Sequence, residues 1–291
     1  MPHKSAPARR PAAGHPFAFL GAFLFSFVVA LAPAAAAPGH ASNLNLPNLP
    51  TVPTAAPTAV PTVPPVVVAL DAGHGGTNLG AAGVGRGIYE KKVMLALAEQ
   101  IRSVLEQPGT PEISVVLCRQ SDVLVPIRAR ARCARDSGAR AFVSLHANAV
   151  PAGVRPGSQR GFEVFVLGPR EVEDDTTLAS LGRREDAEAV WAAHEVRAAA
   201  EQSIALGRQL ADSLTHALGA GARRGIKQSG AALDVLRGTG TAAALVEVGF
   251  LDHPEEGARL ATPEGRQPIA DAIAAAIRAY VSGSNRLALA R

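Results

Sequence analysis

From residue 66 onward, short runs of continuous apolar residues alternate with longer stretches whose apolar positions recur every three or four residues. Residues 66–70, 113–117, 141–145, 161–167 and 243–248 are runs of the first kind and predict strands. Val93, Leu95, Leu97, Ile101 and Leu105 predict a helix that Pro108-Gly109 stops. Residues 127–134, 201–218 and 268–280 predict three more helices. Strands that are apolar on both faces and alternate with helices indicate a single α/β domain around a largely parallel, mixed central sheet flanked by helices. We place that domain at residues 66–282, with 283–291 as a tail.

The first 65 residues follow a different pattern. Lys4, Arg9 and Arg10 precede an apolar run at 17–31, then Pro33 and the small residues 34–37. This is the order of a secretory signal peptide, residues 1–36, with cleavage near Ala36. The run is about 15 residues, short of the roughly 20 that span a bilayer. A retained anchor is the alternative; after cleavage no stable membrane insertion is expected. Arg9-Arg10 leaves a twin-arginine export route open. Residues 37–65 carry eight prolines, which interrupt helices and central strands, and read as an extended linker. The expected location is periplasmic or secreted.

Export changes how charge and cysteines read. Residues 1–36 hold three basic side chains and no acidic ones, so the formal net charge falls from +4 to +1 on cleavage. The basic balance owes much to the leader and does not argue for nucleic acid. The two cysteines, Cys118 and Cys133, have no CxxC spacing and make no structural zinc site. In an oxidising compartment they either pair, closing a loop worth roughly 3 kcal/mol, or remain two separately buried thiols.

Chemistry gathers at the ends of strands, where ligands bind in such sheets. His74 lies in a glycine loop after the first strand, and His146 directly follows the third. Glu247 interrupts an apolar strand, where a carboxylate is costly unless paired or metal-bound. Glu90 stands between the two histidines, just before a helix. Two imidazoles and a carboxylate make a His₂Glu zinc site open to water, and a further carboxylate takes that water's proton. Singly, a loop histidine is more often structural, and a glutamate that starts a helix more often serves the helix dipole. His40, His194, His216 and His253 read as solvated.

Four segments in order carry a family resemblance: Leu70-Asp71-Ala72-Gly73-His74-Gly75-Gly76, Glu90-Lys91, Ser144-Leu145-His146-Ala147-Asn148 and Val246-Glu247-Val248-Gly249-Phe250-Leu251. Together with Arg119 to Arg128 and Arg224-Gly225-Ile226-Lys227, the chain resembles the zinc-dependent N-acetylmuramoyl-L-alanine amidases, bacterial enzymes of wall turnover and cell separation. The resemblance implies a sheet of about six strands, one Zn²⁺ held by His74, Glu90 and His146, and Glu247 as the catalytic carboxylate. It implies hydrolysis of the amide joining N-acetylmuramic acid to L-alanine in peptidoglycan. Asp71 and Asn148 are candidates for orienting ligands or substrate. The chain departs from its relatives at Cys118, Leu251-Asp252-His253 and Ala231-Ala232-Leu233.

The charged segment with Glu171, Glu173 and Asp174, followed by the single Trp191, lies where some relatives insert a helix that covers the zinc until a protein activator displaces it. A regulatory lid and a plain solvated loop and helix are both open readings. Arg128, Arg132 and Arg135 share one helix face, which is either solvated or turned to anionic polymer. The rival functions are a zinc peptidase cutting within stem peptides and a non-catalytic wall-binding protein. A monomer is the default.

Overall fold

The computed structural model describes residues 64–109, 111–168, 187–228 and 234–289, with the side chains of 187–196 and 284–289 left aside. The leader and linker of the sequence reading, and Glu171, Glu173 and Asp174, lie outside the described residues. The elements run β1 (Val66–Ala72), α1 (Glu90–Leu105), β2 (Ile113–Leu117), α2 (Ile127–Asp136), β3 (Ala141–Asn148), β4 (Phe162–Val166), α3 (Ala187–Leu218), β5 (Arg223–Lys227), β6 (Ala242–Phe250), α4 (Pro254–Ala261) and α5 (Pro263–Leu289). All six strands form one sheet, in the order β2-β1-β3-β6-β4-β5. The pairs β1–β2, β1–β3 and β3–β6 are parallel, whereas β4 runs antiparallel to β6 and carries β5 parallel to itself. The sheet is therefore mixed and largely parallel, as expected.

The continuous apolar strands follow from burial on both faces. Val68 and Leu70 of β1 point into the larger core with Met94, Leu97 and Ile101 of α1, Leu210 of α3 and Ile273 of α5. Ala69, Phe142 and Leu245 point the other way, against Ala134 of α2 and Leu236. Fully burying each leucine or isoleucine contributes about 1.5–3 kcal/mol, so the sheet is the organising layer of the domain.

Several boundaries differ from the pattern reading, each for a physical reason. Helix α3 begins at Ala187, 14 residues before the predicted start. Residues 187–200 are rich in alanine, which favours helix without supplying a periodic apolar stripe. Helix α4 has eight residues, too few for periodicity to register, and begins at Pro254 behind the capping ring of His253. That ring accepts the Glu256 amide at 3.4 Å, so His253 is a helix cap rather than a free surface group. Helix α5 starts at Pro263 and carries Pro268 inside it, so it begins five residues before the start that the pattern predicts. Edge strand β5, Arg223–Lys227, has no apolar run, so hydrophobicity could not find it. Cys118 and Cys133 form a disulfide with Cα atoms 5.6 Å apart, deciding between the two open readings and joining the end of β2 to α2.

Candidate metal centre

Strand β1 delivers its chain to the centre through a loop of unusual backbone. His74 has φ 61°, the one positive value outside glycine among the described residues. That left-handed conformation costs a non-glycine residue free energy and persists where its surroundings over-determine it. The loop also passes tightly behind His146: a Cβ at Gly73 would lie 2.4 Å from the His146 ring. Gly80 is under the same constraint, since a Cβ there would stand 2.5 Å from Glu90 Oε2. Glycine is required at both positions for space.

Glu90 is the first residue of α1 and buried, where the helix N-terminus favours negative charge. Its Oε2 lies 2.9 Å from His74 Nε2 and accepts the Ala81 amide at 2.8 Å. Its Oε1 lies 2.9 Å from His146 Nδ1 and accepts the Ala147 amide at 3.0 Å. The remaining nitrogen of His74, Nδ1, is 2.9 Å from Asn78 Oδ1, an outer partner that orients the ring. The imidazoles of His74 and His146 meet edge to face with centroids 4.9 Å apart. One ligand atom from each of His74, Glu90 and His146 lies within 4.8 Å of the others, so the three can close on one cation.

Charge in this cluster is coupled. Burial alone would raise the Glu90 carboxyl, but hydrogen bonds and charge from His146 and His74 hold it well below the usual carboxylate range. Burial would lower His146, and the hydrogen bond and charge of Glu90 raise it instead. Glu247 is the opposite case. It sits on β6 as the cross-strand neighbour of His146 on one side and of Glu163 of β4 on the other. Its buried Oε2 finds no hydrogen-bond partner among the described residues. Burial pushes its pKa up to about 7; His146 opposes this, and the charges of Glu90 and Glu163 add to it. A half-buried carboxylate with that affinity for a proton is suited to general acid–base work near neutral pH.

The structure thus brings His74, Glu90, His146 and Glu247 together. Asp71 lies beneath them, fully buried, bound to Arg130 Nη1 at 2.6 Å and to the Ser144 hydroxyl at 2.8 Å, and reaches no imidazole directly. Asn148 ends β3 half-buried, and its carbonyl accepts the Leu251 amide at 2.8 Å. Trp191 falls in α3, with its side chain outside the described residues. Arg128, Arg132 and Arg135 are exposed, as on a solvated face. Pattern reading missed Glu163, which is buried and ion-paired with Arg224 and, at 3.0 Å, with Lys227. It also missed the buried Arg119 and Arg130. A charge inside a strand, the signal that singled out Glu247, marks Glu163 equally well.

Comparison with known proteins gives one answer. Residues 68–279 match the family model Amidase_3, N-acetylmuramoyl-L-alanine amidase. The chain is 33% identical to N-acetylmuramoyl-L-alanine amidase AmiA of Escherichia coli over 231 residues, covering 74% of this chain and 75% of that protein. It is 30% identical to the probable amidase AmiB of Haemophilus influenzae over 75% of its own length and about half, 53%, of the relative's. Among solved structures, the catalytic domain of CwlV, an N-acetylmuramoyl-L-alanine amidase from Bacillus (Paenibacillus) polymyxa var. colistinus, superposes with TM-score 0.57 at 29% identity, over 75% of this chain and 98% of that one. AmiC2 of Nostoc punctiforme superposes with TM-score 0.57 at 28% identity, over 75% and 97%. Fold, family model and relatives coincide on one stretch of sequence, and the chain belongs to the N-acetylmuramoyl-L-alanine amidases, a family of peptidoglycan amidases.

Proposed function

We propose that the chain is a zinc-dependent amidase that cleaves between the lactyl group of N-acetylmuramic acid and L-alanine, with His74, Glu90 and His146 holding the metal and Glu247 carrying the proton. The observation that carries this reading is the closure of three ligand atoms within 4.8 Å beside a carboxylate with an oxygen that has no partner among the described residues. The donor set fits: two imidazoles and one carboxylate suit zinc and leave a position for water. When bound, Zn²⁺ supplies a Lewis acid that polarises the scissile carbonyl and acidifies water. Asn78 fixes the His74 ring, and the amides of Ala81 and Ala147 fix the Glu90 carboxylate. Glu247, which binds a proton up to about pH 7, takes one from the attacking water and hands it to the departing L-alanine amine.

Export fits the substrate, which lies outside the cytoplasmic membrane. The leader at 1–36 carries the chain there, and a disulfide suits an oxidising compartment. No helix among the described residues is long and apolar enough to cross a membrane. The enzyme acts as a monomer in wall turnover and cell separation.

The test is digestion of purified peptidoglycan, read by mass spectrometry, with zinc-loaded protein beside a chelator-treated sample and Glu247→Ala. Free stem peptides beginning with L-alanine are expected from the first sample alone. Shortened stems still attached to sugar would make the protein a peptidase, and full activity in the chelated sample would remove the metal from the mechanism.

A further inference from the structure

The carbonyl oxygens of the loop that carries His74 are almost all taken by cationic side chains. Arg119 donates from Nε to Ala72 O at 2.9 Å and from Nη2 to Gly73 O at 3.0 Å. Arg130 donates from Nη1 to Ala72 O at 2.8 Å and from Nη2 to His74 O at 2.6 Å. Lys91, the residue after Glu90, donates to Gly76 O at 2.7 Å, and Asp122 accepts the Gly76 amide at 2.8 Å. Both guanidiniums are buried, Arg119 at 2% exposure and Arg130 at 5%. A planar fork holds several donors in one fixed geometry against neighbouring carbonyls, whereas an ammonium carries three donors on a flexible stem without that fork.

Two buried like charges beside one loop repel, and the structure answers this in two ways. Asp71 pairs with Arg130 at 2.6 Å, and Asp122 stands nearby on Lys91. The two arginine-bearing segments are also covalently joined. Cys118 immediately precedes Arg119, and Cys133 follows Arg130 by three residues, one turn along α2. The disulfide therefore ties the base of one prong to the base of the other.

We propose that Arg119 and Arg130 form a clamp that sets the left-handed backbone of His74 and thereby presents its ring for metal binding, with the Cys118–Cys133 disulfide as the cross-brace. Both arginines are positioning residues, acting through the backbone of His74. Asp71 belongs to the same device, because it orients Arg130 rather than an imidazole. The inference rests on the reading of His74 as a metal ligand, and its test separates the two.

Three purified proteins are compared: the wild-type chain, Arg130→Lys, and the double variant Cys118→Ser with Cys133→Ser. Arg130→Lys keeps the charge opposite Asp71 and removes the fork. The double variant keeps both arginines and removes only the half-buried brace, so it tests the clamp separately should the lysine variant fail to fold. Amide hydrogen exchange is measured on metal-free protein over residues 73–76 and over 141–145 in β3. The zinc dissociation constant is measured by competition with a chelator. For Arg130→Lys we expect exchange at 73–76 to accelerate selectively and zinc to bind about 10-fold more weakly, the scale for groups that orient a ligand. The double variant moves both readouts in the same direction by less. Unchanged exchange at 73–76 in both variants overturns the clamp, and so does equal acceleration across the loop and β3, which would mean general destabilisation. Wild-type protein that binds no zinc would sink the ligand reading of His74, while the exchange data would still decide the clamp.

Discussion

Two carboxylates of the same site live in opposite surroundings. At the N-terminus of α1, Glu90 is buried and saturated: both oxygens meet an imidazole and a backbone amide. On the β6-β4-β5 side, where the strand direction reverses, Glu247 has an oxygen with no partner among the described residues. The first is held well below the usual carboxylate range and the second is pushed up to about 7. The saturated shell of Glu90 suits the metal-binding role proposed for it, which needs a fixed orientation and a permanent charge. A proton carrier needs a free lone pair and a pKa near the working pH. One carboxylate stands at the start of α1 and the other on β6, so their hydrogen-bonding shells differ even though their charges remain coupled.

The comparison breaks most visibly by neutralising each carboxylate in turn. Glu90→Gln is expected to lose both metal and activity, read by elemental analysis and by stem-peptide release. Glu247→Gln should keep its metal and lose roughly 10²- to 10⁴-fold in kcat, the range for a general base. Loss of metal in both variants would mean that Glu247 is a ligand rather than the base.

A second expected effect concerns stability. The folded state disfavours the charged form of Glu247, raising its pKa from 4.5 to about 7. The metal-free protein therefore loses stability as pH rises through that window, whereas below it both states are protonated and nothing is lost. Glu247→Gln should raise Tm at pH 8 and leave it unchanged near pH 4, measured by calorimetry. An equal rise at both pH values would point to packing instead of charge.

A finer probe is Glu163, whose charge helps hold Glu247 up. Glu163→Gln removes that charge and frees Arg224 and Lys227, both of which favour an ionised neighbour. The acid limb of the kcat/KM profile should move to lower pH; a shift upward would contradict the assignment of Glu247 as base. The smallest effect is expected on α2, where Arg132 is exposed although Arg130, two residues before it, is buried and Cys133, next to it, is half-buried. Arg132→Ala should change stability by no more than about 0.5 kcal/mol in a denaturant titration, as surface substitutions do.

Much of the fold was legible because apolar runs of strand length and helical periodicity are local signals. The apolar run at 113–117 predicts a strand, and β2 has the same bounds. Edge strand β5, Arg-Arg-Gly-Ile-Lys, was not legible, because an edge buries little and needs no apolar run. The histidine candidates were legible from their places at strand ends, and Glu90 from its place in the family motif at the start of α1. The shell that holds them was not, because its partners lie far apart in the chain: Asp71 and Arg130 are 59 residues apart, and Glu90 and His146 are 56.

By itself the sequence determined an α/β domain, its family, and the four side chains offered for chemistry, since strand patterning and short motifs are written along the chain. Only the tertiary structure decided that Asp71 serves Arg130, that Cys118 meets Cys133, and that Glu163 flanks Glu247. These facts depend on strand order and register, and on the directions of side chains between distant elements. They become defined when the sheet assembles with β4 reversed against β6.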